Sequence, residues 1–214
     1  DEALPFLVNA GIQNAGQTCS ASSRILVQKR RYDEVVAAMS ERYAALQVGP
    51  AMNDLNIGPL ISARQKEIVT GFLKQGEDLQ IAATGQIIDT APKAGAYVAP
   101  HLLLCPDPDH PLAQREIFGP VQVVIPFEDD AEAIAIANGT DYGLVASIWT
   151  ENGARQMRLA KALKSGQIFI NNYGAGGGVE LPFGGVSKSG HGREKGFEAL
   201  YGFSSLKTVA AKHG

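Results

Sequence analysis

The sequence predicts an α/β protein with three layers, a mostly parallel twisted sheet carrying helices on both faces. Three observations predict it. Short apolar runs suited to strands alternate with amphipathic stretches of roughly ten or more residues, the pattern of parallel strands joined by crossover helices. The clearest run, Val121 to Phe127, is almost continuously apolar, as a strand covered on both faces must be. The 214 residues are 45% hydrophobic and 19% charged, enough to bury a substantial core, and hold no internal repeat or long linker.

The elements follow in order. Ala3 to Ile12 is an apolar stretch, and Arg24 to Gln28 reads as a buried strand. Tyr32 to Leu46 places Val35, Val36, Met39, Tyr43 and Leu46 on one helical face, and Val48-Gly49-Pro50 stops it. Asn53 to Pro59 is a loop. Ser62 is the N-cap of a helix from Ala63 to about Gly76, with an apolar stripe of Ile68, Val69, Phe72 and Leu73. Leu79 to Ala83 is a short strand, and Gly85 marks a turn. Tyr97 to Leu104 is a strand whose Pro100 places it at a sheet edge. After Val121 to Phe127, Asp129-Asp130 cap a helix to Asn138, with their negative charge at its positive end. Leu144 to Thr150 is a strand, Asn152 precedes a helix from about Ala154 to Leu163, and Ile168 to Asn171 is a strand running into the loop Gly174 to Gly178. Leu206 to Ala210 reads as a last strand. The organisation expected is one domain over 1–202 and an assembly strand with its tail over 203–214.

Charge and cysteine usage exclude several classes. A net charge of −3 gives no electrostatic footprint for nucleic acid, and Lys29-Arg30-Arg31 is a short solvated junction followed by Asp33-Glu34. No apolar run approaches a membrane span. The N-terminus shows no signal peptide, and the missing Met suggests a segment removed upstream. Two cysteines make no disulfide framework and, with four histidines and no CxxC or HExxH, no metal site is expected. A reducing, cytoplasmic setting fits. Cys105, at the end of an apolar strand, reads as structural.

Chemistry concentrates in three segments. Asn14-Ala15-Gly16-Gln17-Thr18-Cys19-Ser20 puts a thiol on a small-residue turn between two ordered elements. There a nucleophile gains access and fixed geometry, and free backbone N–H groups favour the thiolate. A buried, inert cysteine is the plain alternative. Glu116-Ile117-Phe118-Gly119-Pro120 sets a carboxylate near an aromatic ring before a strand. It suits a ribose diol beside an apolar ring, or simply a turn with Phe118 packed inward. Leu181 to Gly190 is a glycine-rich turn segment without the spacing of a phosphate-binding loop.

Together these segments, with Asn171-Asn172-Tyr173 and Ser189-Gly190-His191-Gly192-Arg193-Glu194, resemble the aldehyde dehydrogenase superfamily over essentially the whole chain. The resemblance implies that Cys19 attacks an aldehyde carbonyl to give a thiohemiacetal. Hydride then passes to NAD or NADP, and the thioester left behind is hydrolysed. The Cys19 backbone N–H would form half of an oxyanion hole. Glu116 would hold the nicotinamide ribose with Phe118 beside it. Thr18, Ser20 and Phe183 would line the substrate, and Glu194 would serve a proton relay. The partners implied are an aldehyde and further copies of the chain, as a dimer or tetramer.

Departures from the family pattern matter. The general-base glutamate of a Glu-Leu-Gly-Gly-Lys-type motif, the Asn completing the oxyanion hole and the Rossmann-type cofactor domain all precede the cysteine in the family and have no match here. The chain thus resembles the C-terminal catalytic half, expected to be inactive alone. Arg115 stands where many members carry an acid, and the loop Gly174 to Val179 lacks an aromatic that several members place there. Other functions compatible with the residues are a non-catalytic assembly module, a thiol-dependent esterase and a CoA-acylating enzyme.

Overall fold

A computed structural model describes residues 2–174 and 178–214. Its elements are α1 (Ala3–Ile12), β1 (Arg24–Gln28), α2 (Tyr32–Ala44), β2 (Gln47–Val48), α3 (Ala63–Gln75), β3 (Gln80–Thr84), β4 (Gln86–Ile87), β5 (His101–Leu104) and α4 (Pro111–Gln114). They continue with β6 (Val121–Phe127), α5 (Asp130–Asn138), β7 (Tyr142–Gly143), β8 (Val145–Ile148), α6 (Gly153–Ala162), β9 (Gln167–Ile170), β10 (Val186–Ser187) and α7 (Glu198–Gly202).

Helix starts follow their caps. Ser62 Oγ accepts from the Gln65 N–H at 3.2 Å, Asp129 Oδ1 from the Glu132 N–H at 2.9 Å, and Asn152 Oδ1 from the Arg155 N–H at 2.9 Å. Each satisfies one of the orphan donors of a first helical turn. Asp130 then ties α5 to α6. Its carboxylate takes the guanidinium groups of Arg158, at 2.5 Å, and Arg155, which hold it below the usual carboxylate range.

The main sheet runs β1-β6-β5-β3, with β1, β6 and β5 parallel and β3 antiparallel to β5. β6 is central and its first five residues are buried, so its apolar run is covered from both sides. A second parallel pair, β8 and β9, forms its own sheet. The architecture is therefore α/β with mostly parallel pairing, divided between sheets. α2 lies on the main sheet through Met39 and Tyr43, both fully buried, and Val69 and Phe72 of α3 join the same core.

Two expectations change. The strand containing Pro100 is not at an edge: β5 starts at His101 and lies between β6 and β3. Pro100 sits just before the ladder, where its carbonyl accepts from the Gly85 N–H at 3.1 Å and no N–H of its own is needed. Leu102 and Leu103, buried on opposite faces, put the strand inside. Leu206 to Ala210 forms no strand. It follows α7 as an exposed segment, because an alternating run makes a strand only where a partner edge receives it.

One polar group sits at the centre of the core. Gln122 of β6 is fully buried. Its Nε2 donates to the Leu7 carbonyl of α1 at 3.0 Å and to the Ser22 carbonyl at 2.5 Å, while its Oε1 accepts from the Tyr43 hydroxyl of α2. Gly11 makes room for it, since a Cβ there would lie 2.1 Å from the Gln122 side-chain carbon.

Two outcomes follow. Tyr43→Phe leaves the Gln122 oxygen buried without a donor, so urea unfolding should show a loss of about 1–3 kcal/mol. Burial holds the Tyr43 phenol above its ordinary pKa. The unfolded chain therefore gives up this proton near pH ~10 while the folded chain keeps it, so the contribution is complete below about pH 10 and declines above it. Stability measured from neutral to alkaline pH should fall less steeply in Tyr43→Phe. Tyr32, Tyr173 and Cys105, also raised by burial, add to the remaining slope.

Candidate active site

The cysteine loop begins where α1 breaks. Asn14, Ala15 and Gly16 have φ of 51°, 56° and 72°, three consecutive left-handed residues. For Ala15 this conformation costs about 1–2 kcal/mol, so it must be held from outside. The Asn14 side-chain amide donates to the Gln17 carbonyl and the Gln17 side-chain amide to the Asn14 carbonyl, both at 3.0 Å. Gln17 Oε1 also accepts from the Ile61 N–H at 3.0 Å. The chain then turns, with the Ala21 N–H donating to the Thr18 carbonyl at 3.1 Å, so Cys19 and Ser20 are the two corner residues. The Ser22 N–H returns to the Ala10 carbonyl at 3.0 Å. Cys19 is exposed at this corner and Ser20 is buried.

The carboxylate segment packs directly on this loop. A Cβ on Gly16 would lie 2.1 Å from the Gly119 carbonyl oxygen, so only glycine permits the contact. Phe118 has φ 55°, and Gln65 of α3 holds it there, donating to the Phe118 carbonyl at 2.9 Å. Ile117 points into the core while Glu116 and Phe118 are exposed, Phe118 by 38%. The inward-packed alternative for Phe118 is thus replaced by an outward ring. Arg115 lies over the Phe72 ring at 5.0 Å, which places its cation on the α3 side.

Thr18, Cys19, Ser20, Glu116 and Phe118 line one cleft of about 1120 Å³. All of β1 and β8, both sheet edges, line it too. Tyr173, which follows β9, is a further wall residue. Its hydroxyl donates to the Ser20 carbonyl at 2.8 Å and neighbours the buried Thr18 hydroxyl. Burial, foremost, and the nearby Cys19 raise the Tyr173 pKa, against the lowering effect of its hydrogen bonds. Residue typing from sequence missed this contact, as it missed Gln65. The only local signal for Tyr173 was its place in Asn171-Asn172-Tyr173 at a strand end.

Phe183 and Glu194 are not among the cleft-lining residues. They pair with each other instead: the Phe183 N–H donates to the Glu194 carbonyl at 2.6 Å and the Glu194 N–H to the Phe183 carbonyl at 2.7 Å. Lys195 Nζ lies 5.6 Å from the Phe183 ring centre, and the Glu194 side chain is exposed. The reason is local: Ser187, Gly190, Gly192, Lys195 and Gly196 all have positive φ, which coils this segment on itself. The glycine loop after Tyr173 lies partly outside the described residues, at 175–177. Cys105 is buried, donates its S–H to the Asp107 carbonyl at 3.1 Å, and has its pKa pushed up to about 11, chiefly by burial.

A family model described as the aldehyde dehydrogenase family matches residues 1–209. An aldehyde dehydrogenase of Emericella nidulans is 40% identical over 203 residues, which cover 94% of this chain and 40% of that protein. A Burkholderia cenocepacia protein of known structure, assigned to the aldehyde dehydrogenases, is 57% identical with a TM-score of 0.97, covering all of this chain and 45% of that one. A Mycobacterium tuberculosis aldehyde dehydrogenase solved with NAD+ is 37% identical with a TM-score of 0.92, covering 100% and 44%. The chain thus spans less than half the length of these relatives. On the match over residues 1–209 and on these likenesses in sequence and fold, the chain belongs to the aldehyde dehydrogenase family.

Proposed function

We propose that these residues carry the nucleophile and part of the cofactor site of an NAD(P)+-dependent enzyme that oxidises an aldehyde to a carboxylic acid. The observation that carries this reading is the exposed Cys19 at a braced turn, in one cleft with Glu116 and Phe118. The Cys19 thiolate adds to the carbonyl carbon, giving a thiohemiacetal whose oxygen gains negative charge. The Cys19 backbone N–H, at the turn corner, is a donor for that oxygen. Glu116 and Phe118 fit a nicotinamide riboside: a carboxylate with no ion pair among the described residues, open to the ribose diol, and an apolar ring beside it. When bound, the nicotinamide dinucleotide supplies the hydride acceptor. Water then cleaves the thioester on Cys19 and frees the acid. Phe183 remains a substrate contact and Glu194 a relay carboxylate in this reading, although both stand outside the cleft lining.

The 214 residues hold no Glu-Leu-Gly-Gly-Lys-type motif, so the chain alone is expected not to turn over. Loss of a positioned general base costs ~10²–10⁴-fold. Incubated with NAD+ and a panel of aldehydes, the purified chain should form no NADH beyond one equivalent, and several turnovers would contradict this. The addition step needs neither base nor cofactor. Aldehyde should therefore protect Cys19 saturably from iodoacetamide, read by peptide mass spectrometry. Alkylation equally fast with and without aldehyde would count against Cys19 as the nucleophile.

Assembly is the second reading, favoured by a run of exposed apolar side chains near the C-terminus. Phe203, Leu206 and Val209 are 91%, 100% and 81% exposed. We place the boundary at 202/203, with 203–214 gaining a strand partner in a dimer or tetramer. Sedimentation at tens of micromolar should show an oligomer that deletion of 204–214 dissociates. A monomer unchanged by the deletion would remove this reading. Both cysteines are free, as a cytoplasmic setting would keep them.

A further inference from the structure

We propose that Tyr173 is a positioning residue for the Cys19 nucleophile: its hydroxyl pins the far corner of the turn that presents the thiol. The inference rests on the reading of Cys19 as the reacting group and adds a residue to that site. Cys19 and Ser20 are the corners of a turn closed by one bond, from the Ala21 N–H to the Thr18 carbonyl. The incoming side of the turn is clamped by the paired Asn14 and Gln17 side chains. The Ser20 carbonyl takes the Tyr173 hydroxyl at 2.8 Å, from a residue 153 positions away in sequence. The anchor therefore comes from the β8-β9 sheet, whereas α1 and the main sheet hold the rest of the loop.

The Tyr173 ring is placed for this role. One side faces the Cys19 cleft, and the ring also walls a smaller cavity of about 300 Å³ with Asn9, Ile12, Gln13 and Asn56. Ser20 is itself buried, so a carbonyl there without its donor would be costly. Burial raises the phenol's pKa, so it remains a donor at neutral and mildly alkaline pH. The hydroxyl acts on the backbone between the thiol and β1, and takes no part in bond making.

The test is the rate at which iodoacetamide alkylates Cys19 in the 214-residue chain, followed from about pH 6.5 to 9.5 because the thiolate is the reactive form. Buried Cys105 serves as the internal control. Tyr173→Phe keeps the ring and removes only the donor. Its Cys19 rate is expected to fall about three- to tenfold across the profile, the size of one lost hydrogen bond, with a cooperative thermal melt retained. Tyr173→His, which returns an N–H donor, should recover part of the rate. Rates of parent and Tyr173→Phe within about 1.5-fold of one another would overturn the proposal even if the melt dropped, because a purely structural hydroxyl moves the melt and leaves the thiol alone. A parent chain whose Cys19 does not react at all would instead overturn the nucleophile reading on which the proposal rests.

Discussion

The carboxamide of Gln122 joins the parts that make the site. It lies in the middle of the central strand, where any polar group must be paired. Its three partners are the helix before the cysteine loop, the segment just after it, and the helix that covers the sheet. One side chain thereby sets how far α1 and the outgoing loop stand from the sheet. Cys19 is suspended between Ala10, which receives the Ser22 N–H, and Ser22, which receives Gln122. A hydrophobic residue at 122 would pack against α1 and α2 but would give neither carbonyl a donor. The apolar core supplies cohesion, and Gln122 supplies register between layers.

Around that frame the site is built by close backbone approach. Gly16 meets Gly119 with no room for a side chain, and Gly119 in turn abuts Val69 of α3. The cysteine loop, the carboxylate segment and α3 therefore form one stack. The left-handed residues at 14–16 and at 118 are the cost of it, offset by amide clamps from Asn14, Gln17 and Gln65. Strain placed this way leaves the thiol, the Glu116 carboxylate and the Phe118 ring facing a common cleft without burying any of them.

Much of this was legible in the sequence, for physical reasons. β6 was readable because a strand covered on both faces needs an apolar run, and three helix starts were readable because Ser62, Asp129 and Asn152 are residue types that cap. The interior place of β5 was not, since Pro100 is a local signal whereas burial of Leu102 and Leu103 is a property of neighbours distant in sequence. Gln122 is one polar letter inside an apolar run, and nothing local says that it bonds to Leu7, Ser22 and Tyr43. The cysteine and Glu116 segments could be recognised by composition, but their contact through Gly16 and Gly119 is a matter of folding. Tyr173 reaches Ser20 across 153 positions, beyond any periodicity argument. The pairing of Phe183 with Glu194 depends on a string of positive-φ residues, of which only the glycines announce themselves.

The proposed addition of Cys19 to an aldehyde from this braced turn is open to direct observation. The most direct measurement is carbon NMR of the purified chain with an aldehyde labelled at its carbonyl carbon. A protein-bound tetrahedral carbon signal should grow to saturation with aldehyde and be absent from Cys19→Ala. Identical spectra from the two proteins would contradict it.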